Sequence, residues 1–523
     1  MNNKNVLRVA ILAALSGLAS LPALADDAEL ARQIETLRAA MAEQRAQIEA
    51  QNKLLEAQQA QLDALTRQLG QSQVATQEVP KVTLNNNRAT ITAADGRSSI
   101  AIRANVQLDG ALYGESPEGA LDTDTRRGSV GGLPNRENNA ARDFSDGLYF
   151  RRARFGVEGT IARDFNYRLL LELGGSGSEG PTRINDAWIA YTGLAPFTLQ
   201  LGAFAPPSNM DDSTSPEDLA FLERASASEL SRSLGGADGR IGLAIKANGA
   251  RWMSSLALTT RTAGDAEVFD TQLAAVARVG FLAATGTDYN LHVGASGTYV
   301  FTPADQGFGA SPRHPLRFRD RPEVRADSVR LIDTGNIDAE NADVYALEFG
   351  GNWKNFYLQG EHFWYDIARR QPSALDDPDF NGYYLQGSWI LTGESRRYNA
   401  TTGSFQNPRP MVPFSSNGGF GAWELAARYS RMNLNFEEGL DGTAAVAGAV
   451  RGGDQQIWTL GVNWYPNPNF KMMLNYLMID VDRLNPAGPG NTQPFGPAPN
   501  TPPPGTQVGQ DLDVFALRSQ FSF

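Results

Sequence analysis

The stretch Gly147 to Ile161, GLYFRRARFGVEGTI, decides how this chain is read. Extended, its period-two alternation sets Arg152, Arg154 and Glu158 on one face and Ala153, Phe155, Val157 and Ile161 on the other. Such a strand borders two different media. In a soluble sandwich the polar face meets water and the apolar face a protein core; in a membrane barrel the polar face lines a lumen and the apolar face meets lipid. Arginine on a lipid face near the midplane costs about 2 to 4 kcal/mol, so Arg152 and Arg154 are placed inward. Arg151 has the opposite parity, which puts it at the membrane interface or ahead of the strand.

The same alternation recurs on both sides of this stretch. Ile100, Ile102, Val106, Leu108 and Leu112 oppose Arg103, Asn105, Gln107 and Asp109, and Phe165, Tyr167, Leu169, Leu171 and Leu173 oppose Asn166, Arg168 and Glu172. Sixteen such segments lie between residues 98 and 523, an even number as a closed up-and-down barrel requires. The last reads LDVFALRSQFSF, with Phe515, Leu517, Phe521 and Phe523 on one face and Val514, Arg518 and Gln520 on the other. A terminal Phe closing an alternating aromatic strand is similar to the assembly signal of bacterial outer-membrane barrels. Trp188, Trp252, Trp389, Trp458, Trp464 and Tyr465 sit in or near these strands as interfacial girdles need, although some of them must be lumenal.

Connections alternate in length. Short turns at 162–164, 193–196, 249–250 and near Asn355 interleave with long segments at 114–146, 205–239, 302–341 and 482–510. A membrane barrel has this asymmetry and a soluble sandwich gives no reason for it. Both ends of the barrel then lie on the short-turn, periplasmic side. The long segment 393–420 falls on that side too, so either it folds into the lumen or the count is off by one strand.

Residues 1–25 read as a signal peptide: Lys4 and Arg8 precede the apolar run Val9 to Leu18, and Ala23-Leu24-Ala25 has the small-x-small form of a cleavage site. A membrane anchor is the alternative, but the run is too short to span. From Asp27 to Leu69 the register is heptad, with Ile34, Met41, Ile48, Leu55, Leu62 and Leu69 at a and Leu30, Leu37, Gln44, Gln51, Gln58 and Leu65 at d. Residues 26–69 are thus expected to form a parallel α-helical coiled coil about 60 Å long; a solvated single helix is the bland alternative. The Gln layers weaken the seam and specify register and strand number. Residues 70–97 are expected to be a polar linker that ends the helix with Gly70 and Pro80.

The chain has 523 residues, a formal net charge of -12, no cysteine and three histidines, His292, His314 and His362, far apart in sequence. No HExxH, CxxC, GxSxG or Walker pattern occurs, so catalytic, metal and cofactor chemistry have no motif. No nucleic-acid partner is expected. Mean hydropathy is negative, and outside the leader no run of about 18 apolar residues exists, which excludes helical spans but not β-strand ones.

At FRRARFGVEG, NDAWIAY (185–191), FLER (221–224), GAWELAARYS (421–430), LGVNWYPNPNFKMMLNY (460–476) and the final Phe, residues 98–523 resemble the phosphate-selective porin O/P family. The resemblance implies a homotrimer of outer-membrane barrels that pass small anions, phosphate or polyphosphate, through an arginine-lined constriction. Its arginine ladder, carried by the fifth extracellular loop, maps by spacing onto Arg317, Arg319, Arg321 and Arg325; by the motif matches, Arg151, Arg152, Asp186 and Arg224 lie at or near the constriction. If 317–321 is extended, its three arginines share one side about 7 Å apart, a spacing that hands an anion between guanidinium groups without trapping it. The alternative is a solvated mixed-charge loop, since Asp320, Glu323 and Asp327 lie among them. The family's lysine cluster has little counterpart: six Lys occur, of which Lys246, Lys354 and Lys471 fall in expected strands. Segment 205–239 carries Asp211, Asp212, Glu217, Asp218, Glu223 and Glu229, which repel phosphate.

The expected architecture is therefore an all-β transmembrane fold, a sixteen-stranded antiparallel up-and-down porin barrel preceded by an α-helical coiled coil. The expected function is passive diffusion of small anions across the outer membrane, with outer-membrane lipid and sister copies as partners. Two alternatives stand beside it: a general or sugar-preferring porin with a mixed-charge constriction, and a structural tether that reaches peptidoglycan through the coiled coil. An outer-membrane phospholipase needs a Ser/His pair, and none of the three His lies in a nucleophile motif.

Overall fold

The computed structural model describes residues 27–77, 79–85, 88–115, 144–174, 182–266, 268–371, 373–486, 505 and 507–523. The signal-peptide reading of 1–25 lies outside them. The chain divides into two compact units, Met1–Val79 and Pro80–Phe523.

Among the described residues the first unit is one helix, α1, Asp27–Gln77. At about 1.5 Å per residue it is about 76 Å long. It passes through Gly70, where the sequence suggested an end. A single Gly costs only about 1 kcal/mol relative to Ala in a helix interior, and no Pro follows until Pro80. The seam residues Leu30, Ile34, Leu37, Met41, Ile48, Leu55, Leu62 and Leu65 are all exposed.

The second unit is a barrel. Sixteen strands, from Ser99–Glu115 through Gly147–Ile161, Phe165–Glu172 and their successors to Leu512–Ser522, form an antiparallel meander. The last pairs with the first, from Leu512 opposite Glu115 to Ser522 opposite Asn105, which closes the sheet and removes its edges. Alternation explains the wall: Ile102, Leu112, Phe155 and Leu517 are exposed on its outside, whereas Gln107, Asp109, Arg154 and Arg518 are buried inside. Trp188 and Tyr465 are the inward members of the expected girdle; Trp188 lines an interior cavity and Tyr465 donates to Glu424 at 2.6 Å. The expected linker 70–97 also contains a hairpin, Lys81–Asn85 with Arg88–Thr92, whose second strand joins the first barrel strand at Ser99 to Ala101.

Arg151 departs from its expected place. Gln107 faces Arg152 and Leu108 faces Phe150, so Arg151 is the extra residue of a β-bulge. The bulge resets parity, and Arg151, Arg152 and Arg154 are all buried on the lumen side.

The strand count holds, and segment 391–421 on the short-turn rim folds inward. It carries a small hairpin, Arg397–Asn399 with Ser404–Gln406. From the opposite rim, segments 205–239 and 303–336 enter as well. The first bears a four-residue helix, Met210–Ser213, and a ten-residue one, Ser226–Gly235. Phe318, Val324 and Ile332 pack with Leu230, Phe363, Tyr365 and Phe380 into an apolar core that fills one side of the bore. Open space remains on the other side, against the strands between Ser99 and Thr262.

Candidate functional site: the lumenal vestibule

A loop inside a barrel must satisfy its backbone there, because buried unpaired N–H and C=O groups are costly. Wall side chains do this for segment 205–239. Glu361 accepts from the N–H groups of Met210 and Asp211 at 2.7 and 3.0 Å, Arg518 donates to Leu222 O at 2.6 Å, Arg428 to Glu223 O at 2.8 Å, and Asn463 to Ala220 O at 2.8 Å. Arg224 turns back onto its own segment, donating to Asp211 O at 3.0 Å and Thr214 O at 2.8 Å.

Most inward arginines are neutralised. Arg151 forks onto Glu223 at 2.5 and 3.0 Å, and Arg518 lies 3.1 Å and Arg325 3.5 Å from the same carboxylate. Burial alone would raise the Glu223 carboxyl, but Arg151, Arg325 and Arg518 hold it well below the usual range. Arg154 bridges Glu172 at 2.8 Å and Asp238 at 2.6 Å. Arg152 is different: its Nη1 donates to Gln107 Oε1 at 2.6 Å and its Nε has no partner.

The four arginines expected to form a ladder do not share one side. Arg317 and Arg319 are exposed on one face of a short hairpin, and Arg317 pairs with Asp333 through Nε at 2.7 Å. The chain then turns: Glu323 adopts φ 55 and its N–H donates to Arg321 O at 2.8 Å. Arg321 is thereby buried, donating to Asp327 O at 3.0 Å, and Arg325 reaches Glu229 at 2.7 Å. The extended geometry assumed for 317–321 stops at Asp320.

Open space lies elsewhere. A cavity of about 460 Å³ sits between segment 205–239 and the wall, lined by Arg154, Asp186, Arg224, Asp238 and Lys246 among others. It adjoins a second, of about 950 Å³, toward the short-turn rim, where Arg88, Arg397 and Arg409 contribute. Both cavities are lined by Arg103, Arg168, Trp188 and Glu217. At this junction Glu158 takes Arg103 at 3.1 Å, Arg168 at 2.8 Å and Arg88, so three guanidinium groups share one carboxylate. Glu217 is 3.4 Å from Arg103, and Asp186 3.8 Å from Arg168, whose guanidinium lies 5.3 Å from the centre of the Trp188 ring. Around the two cavities eight basic side chains face six carboxylates.

The vestibule thus gathers Arg154, Arg224 and Asp186 from the expected set and leaves Arg151, Arg152, Arg317, Arg319, Arg321 and Arg325 outside its lining. Strand parity had already turned Arg103 and Arg168 inward, but no motif marked them. Arg88, Arg397 and Arg409 lie in stretches without a strand signal.

The family model of the phosphate-selective porins O and P matches residues 127–492. The chain belongs to that family. As a porin of the bacterial outer membrane it is built as a channel rather than as an enzyme. It is 26% identical over 361 residues to Porin O of Pseudomonas aeruginosa, with 65% of this chain and 78% of that protein covered. It is also 26% identical over 366 residues to an uncharacterized protein of Caulobacter vibrioides, covering 67% of this chain and 66%, just under two thirds, of that protein. Among solved structures, the anion-selective porin from Comamonas acidovorans aligns with 82% of this chain and all of its own at 13% identity and a TM-score of 0.45. The trimer form of OmpT from Vibrio cholerae aligns with 82% of this chain and 99% of its own, at 11% identity and 0.44.

Proposed function

We propose that this porin is a passive diffusion channel for small anions, phosphate among them, and that the vestibule is where it selects them. The observation that carries the reading is the lining of the two adjoining cavities, where eight basic side chains face six carboxylates, and where Arg88, Arg103 and Arg168 meet at Glu158 on their junction. Arginine offers paired donors to a phosphate, and partly water-exposed pairs of this kind exchange partners more readily than the dry pairs around Glu223. The ladder residues Arg317 and Arg319 then serve as an outer collecting surface rather than as the constriction, and Arg224 and Lys246 belong to the basic lining of the inner cavity.

A second reading is a mixed-charge porin for neutral solutes such as sugars. Six carboxylates in the cavity lining and the Trp188 ring favour it. One experiment separates the two. Reversal potentials across a planar bilayer in a potassium chloride gradient are expected to show anion preference in the wild type, a sign reversal in Arg168→Glu, and a chloride current blocked by added phosphate. Cation preference in the wild type overturns the first reading.

We also infer that α1 is the periplasmic coiled coil of a homotrimer. Support comes from the exposed heptad seam, which needs sister helices to cover it. A role as a tether to peptidoglycan is tested separately by deleting 27–69 and following envelope detachment and conductance independently.

A further inference from the structure

A belt of aromatic rings runs along the short-turn rim on the lipid face of the barrel. Trp353, Phe356 and Trp389 stack in succession with centroids 6.2 and 5.9 Å apart, and Trp423 stacks on Trp464 at 5.6 Å. Rings in this position sit at the level of the lipid headgroups. Segment 391–421 continues this belt after leaving the lumen. Phe414 meets the Trp464 ring edge-on at 5.3 Å, the Phe414 N–H donates to Pro466 O at 2.8 Å, and Trp464 Nε1 donates to Phe420 O at 2.8 Å.

Four large apolar side chains are left uncovered beside that belt. Met411, Val412, Phe414 and Phe420 are 66%, 62%, 56% and 73% exposed. No acidic residue occurs from Arg409 to Phe420, and Pro410 and Pro413 stiffen the backbone that displays them. Water disfavours a contiguous patch of this kind, and its continuity with the lipid-facing belt names the medium that covers it.

We propose that residues 411–420 form a ledge embedded in the inner-leaflet interface of the outer membrane, and that phospholipid contact there anchors the in-folded segment whose Arg397 and Arg409 line the vestibule. The segment is then held at both ends of its path: inside by Arg396 on Glu424 at 2.7 Å and by Asn407, whose N–H donates to Asp218 at 2.9 Å, and outside by lipid.

The chain has no cysteine, so single labels are clean. Val412→Cys, Leu425→Cys on the lipid face and Asp441→Cys on the long-loop rim are each labelled with a nitrobenzoxadiazole fluorophore. The full-length protein is then placed in phosphatidylethanolamine and phosphatidylglycerol nanodiscs. The label at 412 is expected to be quenched by nitroxide lipids carrying the radical near the headgroup end of the acyl chain, as at 425, and to resist aqueous iodide. Iodide quenching like that at 441, with no nitroxide quenching, overturns the ledge. In the same nanodiscs, Val412→Ser with Phe414→Ser is expected to raise tryptic cleavage after Arg397 about tenfold, because cleavage follows the population of the released segment. An unchanged cleavage rate overturns the anchoring role.

Discussion

Replacing Glu424 by Gln is expected to loosen the in-folded segment while leaving the barrel closed. Glu424 and Arg396 have side chains 0% and 1% exposed. The carboxylate accepts from Arg396 at 2.7 and 2.9 Å, from Ser388 at 2.6 Å, from Asn463 at 2.9 Å and from Tyr465 at 2.6 Å. Gln keeps the shape but turns one acceptor into a donor that faces other donors, and it leaves the guanidinium without a counter-charge. Breaking one partner of a buried pair costs about 3 to 5 kcal/mol, which is about 2 to 3.5 decades in an equilibrium constant. The strand carrying Glu424 has neighbours on both sides, whereas Arg396 belongs to a segment bordering the cavity of about 950 Å³, so release of Arg396 into water is the easier relaxation. Single-channel recordings should therefore show a larger or noisier open state for Glu424→Gln, and limited trypsin should cut at Arg396 or Arg397. Ser388→Ala, which removes one bond worth about 1 kcal/mol, should do neither. Unchanged conductance together with trypsin resistance in Glu424→Gln would refute the reasoning.

Three further outcomes are expected. Burial raises the Asp320 carboxyl to about 7, with nearby Glu229 adding to the rise and Arg325 opposing it. Between its ordinary value near 4 and about 7 the folded loop binds more protons than the unfolded one, so docking of 303–336 weakens as pH rises through this window. Glu229, held down to about 2 by Arg232 and Arg325 against the effect of burial, stays ionised throughout. Channel noise should accordingly be lower at pH 5 than at pH 8, and Asp320→Asn should abolish the difference. Gly159→Ala should cut the yield of folded, heat-modifiable protein on gels, since a Cβ there would lie 1.9 Å from Ser99 O; such overpacking costs about 1 to 3 kcal/mol. Replacing Gln44, Gln51 and Gln58 by Leu in a peptide of 27–77 should raise its melting temperature by circular dichroism and broaden its oligomer distribution in sedimentation, because the polar layers that limit strand number are gone.

Alternation made the wall legible from sequence: all sixteen strands lie where period two puts them, and Arg103, Arg152, Arg154, Arg168 and Arg518 face inward as their parity requires. Parity failed at Arg151, because a bulge is a pairing mismatch with a partner strand and leaves no mark on its own strand. The interior could not be read for a related reason. Whether an arginine is available to an anion depends on carboxylates far off in the chain, as for Arg518 with Asp109 or Arg428 with Glu323. The spacing of Arg317, Arg319 and Arg321 assumed an extended chain, and the left-handed turn at Glu323 that ends it is not signalled by a glycine. Segment 391–421 was visible only as a length anomaly; the wall residues that draw it inward, Glu424 and Arg278, read as ordinary lumenal charges.

The hairpin Lys81–Asn85 with Arg88–Thr92 follows α1 in sequence and precedes the closed wall, and its second strand is zipped to the first barrel strand at Thr90, Ile91 and Thr92. A pull on the chain that precedes the hairpin is thereby delivered along a β-ladder instead of at a single peptide hinge. Loaded lengthwise, the rungs of that ladder must fail together, so the hairpin behaves as a strain relief that shields the closed wall from a pull on the preceding chain.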